Sequence, residues 1–171
     1  MKMNAGQRKR DLEREAGLRH KMHRGQRSHR PMSSGYEKAH LLAEEEWQAK
    51  TGVRRDARLR VQGTDANFYH DIKRRDGTTR RTPLMIKASQ KWPSFLLVER
   101  GKVVPDMIYV QAHVDIHTGR VKFLGWMRGR DVVEYEPERS IWTAYEVWNH
   151  KVPLTKARKM DRLYARLGVS V

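Results

Sequence analysis

Asp71 and Lys87 flank the turn signal Asp76-Gly77, each inside a stretch with strand-like alternation. Two strands joined at such a turn run antiparallel, and an antiparallel pair can set an acid and an amine side by side on one face. Glu37 and Glu44 are seven residues apart, two helical turns, so they share one face of the helix predicted around them. A helix packed on the sheet can aim either glutamate at the same spot. Carboxylate oxygens of this kind suit a hard divalent cation, which polarises a phosphodiester and generates a hydroxide nucleophile. A neighbouring lysine orients the water and offsets developing negative charge.

Each of these residues also has a plainer reading. Asp71 and Lys87 serve equally as a cross-strand ion pair, and Glu37 suits the first turn of a helix through the macrodipole. His113, Asp115 and His117 are spaced by two and can share a strand face, but no fourth ligand accompanies them. Ser89 and Ser94 lack a His–acid pair at a recognisable spacing, which argues against a serine nucleophile. Trp92, within Gln90-Lys91-Trp92-Pro93, reads either as a stacking platform for an unpaired base or as a loop anchor. Trp126, Trp142 and Trp148 read as core.

The partner class follows from charge. The 171 residues carry 36 Lys and Arg against 20 Asp and Glu, a net charge of +16, and mean hydropathy is −0.86. A field of that sign favours nucleic acid, with anionic membrane second. Arginine predominates over lysine, 23 to 13, which suits bidentate phosphate contacts. Arg54, Arg55, Arg58 and Arg60 precede the candidate hairpin; Arg74, Arg75, Arg80 and Arg81 surround its turn, and Lys91 and Trp92 follow it. Together these form the expected nucleic-acid surface. Without cysteine, the chain has no disulfide, thiolate zinc site, iron–sulfur cluster or thiol nucleophile. No apolar run is long enough for a transmembrane helix, and no apolar segment follows the basic N-terminus as in a signal peptide. The expectation is a cytoplasmic protein without a membrane partner.

The elements that must position these groups divide the chain in two. Residues 1–34 hold a net charge of +7 and few apolar side chains, so they read as a basic arm, mobile or loosely helical over 7–22, ending at Pro31-Met32-Ser33-Ser34-Gly35. Residues 35–171 read as one α+β domain. A helix is predicted from Tyr36 to Lys50, capped by Ser34 and stopped at Gly52. Strands are predicted at Ala57–Val61, Phe68–Lys73, Arg80–Ala88 and Ser94–Glu99. Met107–Asp115 and Arg120–Met127 form the clearest hairpin, about His117-Thr118-Gly119. A last strand over Ala144–Trp148 and a helix over Lys156–Leu167 complete the pattern.

The ordered segments resemble the PD-(D/E)XK nuclease superfamily, in particular small phage- and bacteria-encoded members. GYEKAHLLAEEEWQAKTG at 35–52 is similar to the opening helix of that branch. YHDIKRRDGTTRRTPLMIKAS at 69–89 is similar to its hairpin, FLLVERGKVVPDMIYVQAHVD at 95–115 with HTGRVKFLGW at 117–126 to its next strands, and YEVWNHKVPLTKARKMDRL at 145–163 to its closing segment. The resemblance implies a restriction-endonuclease-like core, with a mixed, mostly antiparallel sheet between an N-terminal and a C-terminal helix. It carries the family's metal-binding aspartate onto Asp71, with Asp65 as a rival, its catalytic lysine onto Lys87, and its early glutamate onto Glu37. Mg²⁺ or Mn²⁺ is the implied cofactor.

One position departs from the family. The acid two residues before the lysine is Met85, a soft thioether that a hard cation does not accept. Glu44, Asp65 and Glu99 are candidates to replace it. Two functions follow as expectations. One is a metal-dependent nuclease acting on DNA, with Glu37, Asp71 and Lys87 converging within metal reach. The other is an inactive nuclease fold that binds nucleic acid, or a virion or ribosomal complex, through its basic surface.

Overall fold

The computed structural model describes residues 5–25, 34–56, 66–74, 76–140 and 147–170. The expected strand at 57–61, with Arg58, Arg60 and Asp65, lies outside them, as do Arg75 and Trp142.

Helix α1, Ala5–Gly25, lies along α2, Ser34–Thr51. Leu12 and Ala16, one helical turn apart, are buried in the main core. Ion pairs join this helix to the domain, among them Arg8 to Glu45 at 2.7 Å and Arg55 to Glu15 at 2.7 Å. The helix expected within the arm is thus docked; two small apolar contacts at helical spacing suffice when a preformed face receives them.

The main sheet has four strands. Strands β1, Phe68–Lys73, and β2, Thr79–Ser89, pair antiparallel across the Asp76-Gly77 turn. There the Asp76 carboxylate accepts from the Thr78 N–H at 2.9 Å. Strand β4, Ile108–Asp115, runs parallel to β2, and β5, Arg120–Arg128, returns antiparallel to β4. At this hairpin Gly119 adopts φ +74°, a left-handed turn position that glycine takes at little cost. The class is therefore α+β, with a mixed, mostly antiparallel sheet.

Alternation assigns the two faces. Phe68, Ile72, Leu84, Ile86, Ala88, Ile108, Val110 and Val114 join Leu41, Ala43 and Trp47 of α2 in the main core. Met85, Tyr109 and Met127 point the other way, into a second core. A further sheet covers this opposite face, ordered β3-β7-β6: β3, Phe95–Glu99; β6, Pro137–Ser140; and β7, Val147–Pro153. Leu96, Val98 and Val152 are its buried contribution. A short helix, α3, Gly129–Val132, adds Val132, and α4, Met160–Leu167, closes the main core through Leu163 and Tyr164. Among the described residues no helix is long and apolar enough to cross a membrane.

Three expectations need correction. The last strand continues to Pro153, past the predicted end at Trp148, while its expected first residues from Ala144 lie outside the described ones. Trp148 points outward and is 40% exposed, so it is not core. The C-terminal helix begins only at Met160. Before it, Lys156 and Ala157 donate to the Pro153 carbonyl, and Arg158 exchanges both backbone bonds with Trp126 at 2.9 and 3.0 Å. The Arg158 and Lys159 carbonyls are committed to Trp126 and Lys159 is extended, so a helix starting at Lys156 lacks the acceptors of its first turn.

Candidate nucleic-acid interface

Because side chains alternate along a strand, Asp71 and Lys87 do share a face. The ladder, however, sets Asp71 opposite Arg81. Lys87 stands six positions along β2 from Arg81, about 20 Å at the usual strand rise. Asp71 is exposed at one end of the sheet, while Lys87 stands at the other beside Gln111, its Nζ 5.9 Å from the centre of the Tyr109 ring. The structure does not bring these two residues together.

Glu37 is buried near the Lys87 end, since Gly35 two residues earlier lies against the Gln90 side chain. Its helix covers the face formed by Leu84, Ile86 and Ala88, whereas Lys87 belongs to the opposite one. Glutamate and lysine therefore approach the same strand end from two sides. Met85 is buried in the second core, a packing role its apolar thioether suits.

Glu44 is buried and committed to structure. Its carboxylate accepts from Asn67 Nδ2 at 2.7 Å and from Arg55 Nη1 at 2.9 Å, and Arg55 reaches on to Glu15 at 2.7 Å. Burial lowers the Arg55 pKa, and attraction to Glu44 and Glu15 more than reverses this, so the guanidinium stays firmly charged. Asn67 is the clasp that the sequence reading missed. Its Oδ1 accepts from the Ile86 N–H, its own N–H donates to Leu84 O at 2.7 Å, and its carbonyl accepts from Asp56 N at 2.9 Å. The available signal was a lone amide between Ala66 and Phe68 just before a strand. Glu99, the other described replacement acid, pairs with Lys102 at 2.7 Å.

The described residues do not fit a hard cation. Met85 offers no oxygen, Asp71 is distant from Lys87, each Glu44 oxygen already accepts from an amide or a guanidinium, Asp65 lies outside the described residues, and no group of three or more His, Asp or Glu among them is arranged to hold a metal. His113 packs against Trp92 with the two rings tilted by 48°, and Asp115 caps the turn N–H groups of His117 and Thr118 at 2.9 and 3.2 Å. The Thr118 and His117 bonds hold the Asp115 carboxyl below its ordinary range.

A different constellation lies beyond Lys87. At the end of β2 the Ser89 hydroxyl donates to the Lys91 carbonyl at 2.6 Å, closing a turn that leads to Trp92. Trp92 is 60% exposed, its ring 4.9 Å from that of His113, with Lys122 Nζ 5.3 Å from its centre. His113 and Lys122 are cross-strand partners, so a rigid hairpin sets the spacing beneath the indole. Lys91 is exposed alongside.

The other expected basic residues scatter. Arg54 and Arg74 are exposed, Arg55 belongs to the Glu44 cluster, and Arg80 bonds Asp106 at 2.5 Å. Arg81 lies 4.7 Å over the Tyr69 ring. The architecture is that of an α+β protein of two stacked small sheets with a cationic, aromatic-bearing edge. Comparison of the chain with known protein families, curated proteins and solved structures finds no match.

Proposed function

We propose that this chain binds nucleic acid, DNA foremost, as a nuclease-like fold that grips the backbone through its basic surface. The observation that carries this reading is Trp92: a large indole held open to solvent, buttressed by His113 and flanked by Lys122 and Lys91. An aromatic face beside cations is the general means of holding an unpaired base while its phosphates are neutralised, and each stacked base contributes about 1–3 kcal/mol. The net charge of +16 supplies the long-range attraction.

Kinship with the PD-(D/E)XK core draws support from a helix packed on an antiparallel hairpin whose second strand runs parallel to a third. The commitment of Glu44 and Glu99 to protein partners, and the distance of Asp71 from Lys87, favour binding over hydrolysis.

The test is binding and cleavage side by side. Supercoiled plasmid and single-stranded DNA are incubated with Mg²⁺ or Mn²⁺ and with wild type, Lys87→Ala or Trp92→Ala. Salt-sensitive binding without cutting, weakened by Trp92→Ala, is the expected result. Metal-dependent cutting lost in Lys87→Ala overturns the binding-only reading, and a matching loss in Asp65→Asn then identifies the acid that serves in place of Met85. Preference for an RNA of the same sequence would reassign the partner.

A further inference from the structure

Four arginines gather where β5 ends, and none of them belongs to the expected nucleic-acid surface. Trp126 and Arg128 point to the same side of β5, the side of Ile108 and Val110. Gly125 lets the next segment come close: a Cβ there would stand 3.0 Å from that of Ala157. The backbone pair between Trp126 and Arg158 then fixes Arg158 over the indole, 5.1 Å from its centre, while Arg166 reaches the same ring from α4 at 5.8 Å. Lys159 O accepts from Trp126 Nε1 at 3.0 Å, so the platform itself is anchored. Arg130 follows at the start of α3.

The acids nearby do not balance this charge. Asp131 is taken by Arg158 at 2.7 Å, and Asp106 is shared between Arg80 and Arg130. The buried Nε of Arg128 has no hydrogen-bond partner among the described residues. Burial, with repulsion from Arg130, Arg166 and Arg158, pushes the Arg128 pKa down. Burying an unpaired donor among like charges is unfavourable in itself and becomes favourable when an anion accepts from it.

We infer that Arg128, Arg158 and Arg166 form a phosphate-binding site on the Trp126 platform, at the edge between β5 and α4. Planar guanidinium forks suit the oxygens of a phosphoryl group, and indole contact pre-orients two of them. The site is separate from Trp92, which lies over the opposite face of the sheet, and does not depend on the nucleic-acid reading. The phosphoryl group can belong to a nucleic-acid backbone or to a free phosphate.

The test is thermal unfolding of the full chain in phosphate and in chloride at matched ionic strength, with pyrophosphate titrated calorimetrically. Wild type should melt higher in phosphate. Arg128→Met should lose that increment and bind pyrophosphate at least tenfold more weakly, while melting no lower than wild type in chloride because a repulsion is removed. Arg166→Gln, an exposed position, gives the same readout if Arg128→Met does not fold. Equal melting of wild type in the two salts, or an increment that survives both substitutions, overturns the site. A single-stranded oligonucleotide separates the sources. A log–log salt slope shallower by about 1 in Arg128→Met means the site holds the nucleic-acid backbone. An unchanged slope with the thermal increment lost means a free phosphate.

Discussion

The indole N–H of Trp47 donates to Nε2 of His70 across 2.9 Å inside the main core, joining α2 to β1. The accepting nitrogen must be unprotonated, so the bond selects the neutral imidazole with its proton on Nδ1. The two rings meet edge to face, 5.8 Å between centres, and Phe68, Phe123 and Tyr164 also surround Trp47. Burial, opposed weakly by the charge of Asp71, brings His70 down to about 4.

That shift makes stability pH-dependent with a definite sign. Unfolded chains protonate this histidine near 6.5, whereas the native state resists until about 4. The neutral-histidine contribution is complete above pH 6.5 and is lost as pH falls toward 4, on the order of 3 kcal/mol in all. Urea titrations between pH 7.5 and 4 should show this decline. In His70→Gln the same window should be flatter; an equal decline would place the titrating group elsewhere.

Asn67 holds three chain segments, and its loss strands several partners at once. Asn67→Ala removes the acceptor of the Ile86 N–H and one donor to the buried Glu44 carboxylate. The expected loss is about 2–3 kcal/mol by chemical denaturation. Asn67→Asp replaces that donor with a second carboxylate, and should be less stable at pH 7 than at pH 5 relative to wild type.

Trp92 should separate binding from folding. Its side chain is 60% exposed, so Trp92→Ala should leave the melting temperature nearly unchanged. Affinity for single-stranded DNA should fall by about 1–3 kcal/mol, measured by fluorescence anisotropy at fixed salt. For wild type, neutralisation of about six phosphates corresponds to a log–log salt slope near −4 to −5. A large melting shift with unchanged affinity would make Trp92 a loop anchor.

Among the described glycines, Gly129 leaves the least room for a side chain. A Cβ there would meet the Val104 carbonyl oxygen at 1.9 Å, and the Gly129 N–H donates to Met107 O at 2.8 Å. Backbone cannot yield as a side-chain tip does. Gly129→Ala should therefore destabilise by about 3 kcal/mol or more, seen as loss of soluble protein or of cooperative unfolding.

Much of the scaffold was written locally. Alternation around His117-Thr118-Gly119 and Asp76-Gly77 specified both hairpins to within a residue or so, and the signals at Ser34 and Gly52 bracketed α2. Charge alone pointed to a polyanionic partner. Alternation even placed Asp71 and Lys87 on one face. Periodicity reports which side of a strand is covered, and a turn reports that two strands pair. Neither states how far along the ladder two residues fall until the register is closed, and here the register sets them about 20 Å apart.

What only the tertiary structure decided is non-local. Asn67 and Glu44 meet because a helix lies across a strand start. Trp92 faces His113 and Lys122 because a turn folds back over a hairpin more than twenty residues away. Arg158 and Arg166 share one indole, close to Arg128, because a segment without helix or strand pairs with β5 and carries α4 behind it. Local pattern encodes the burial of a face; which distant side chains meet over it depends on chain topology and packing, settled only when the whole domain closes.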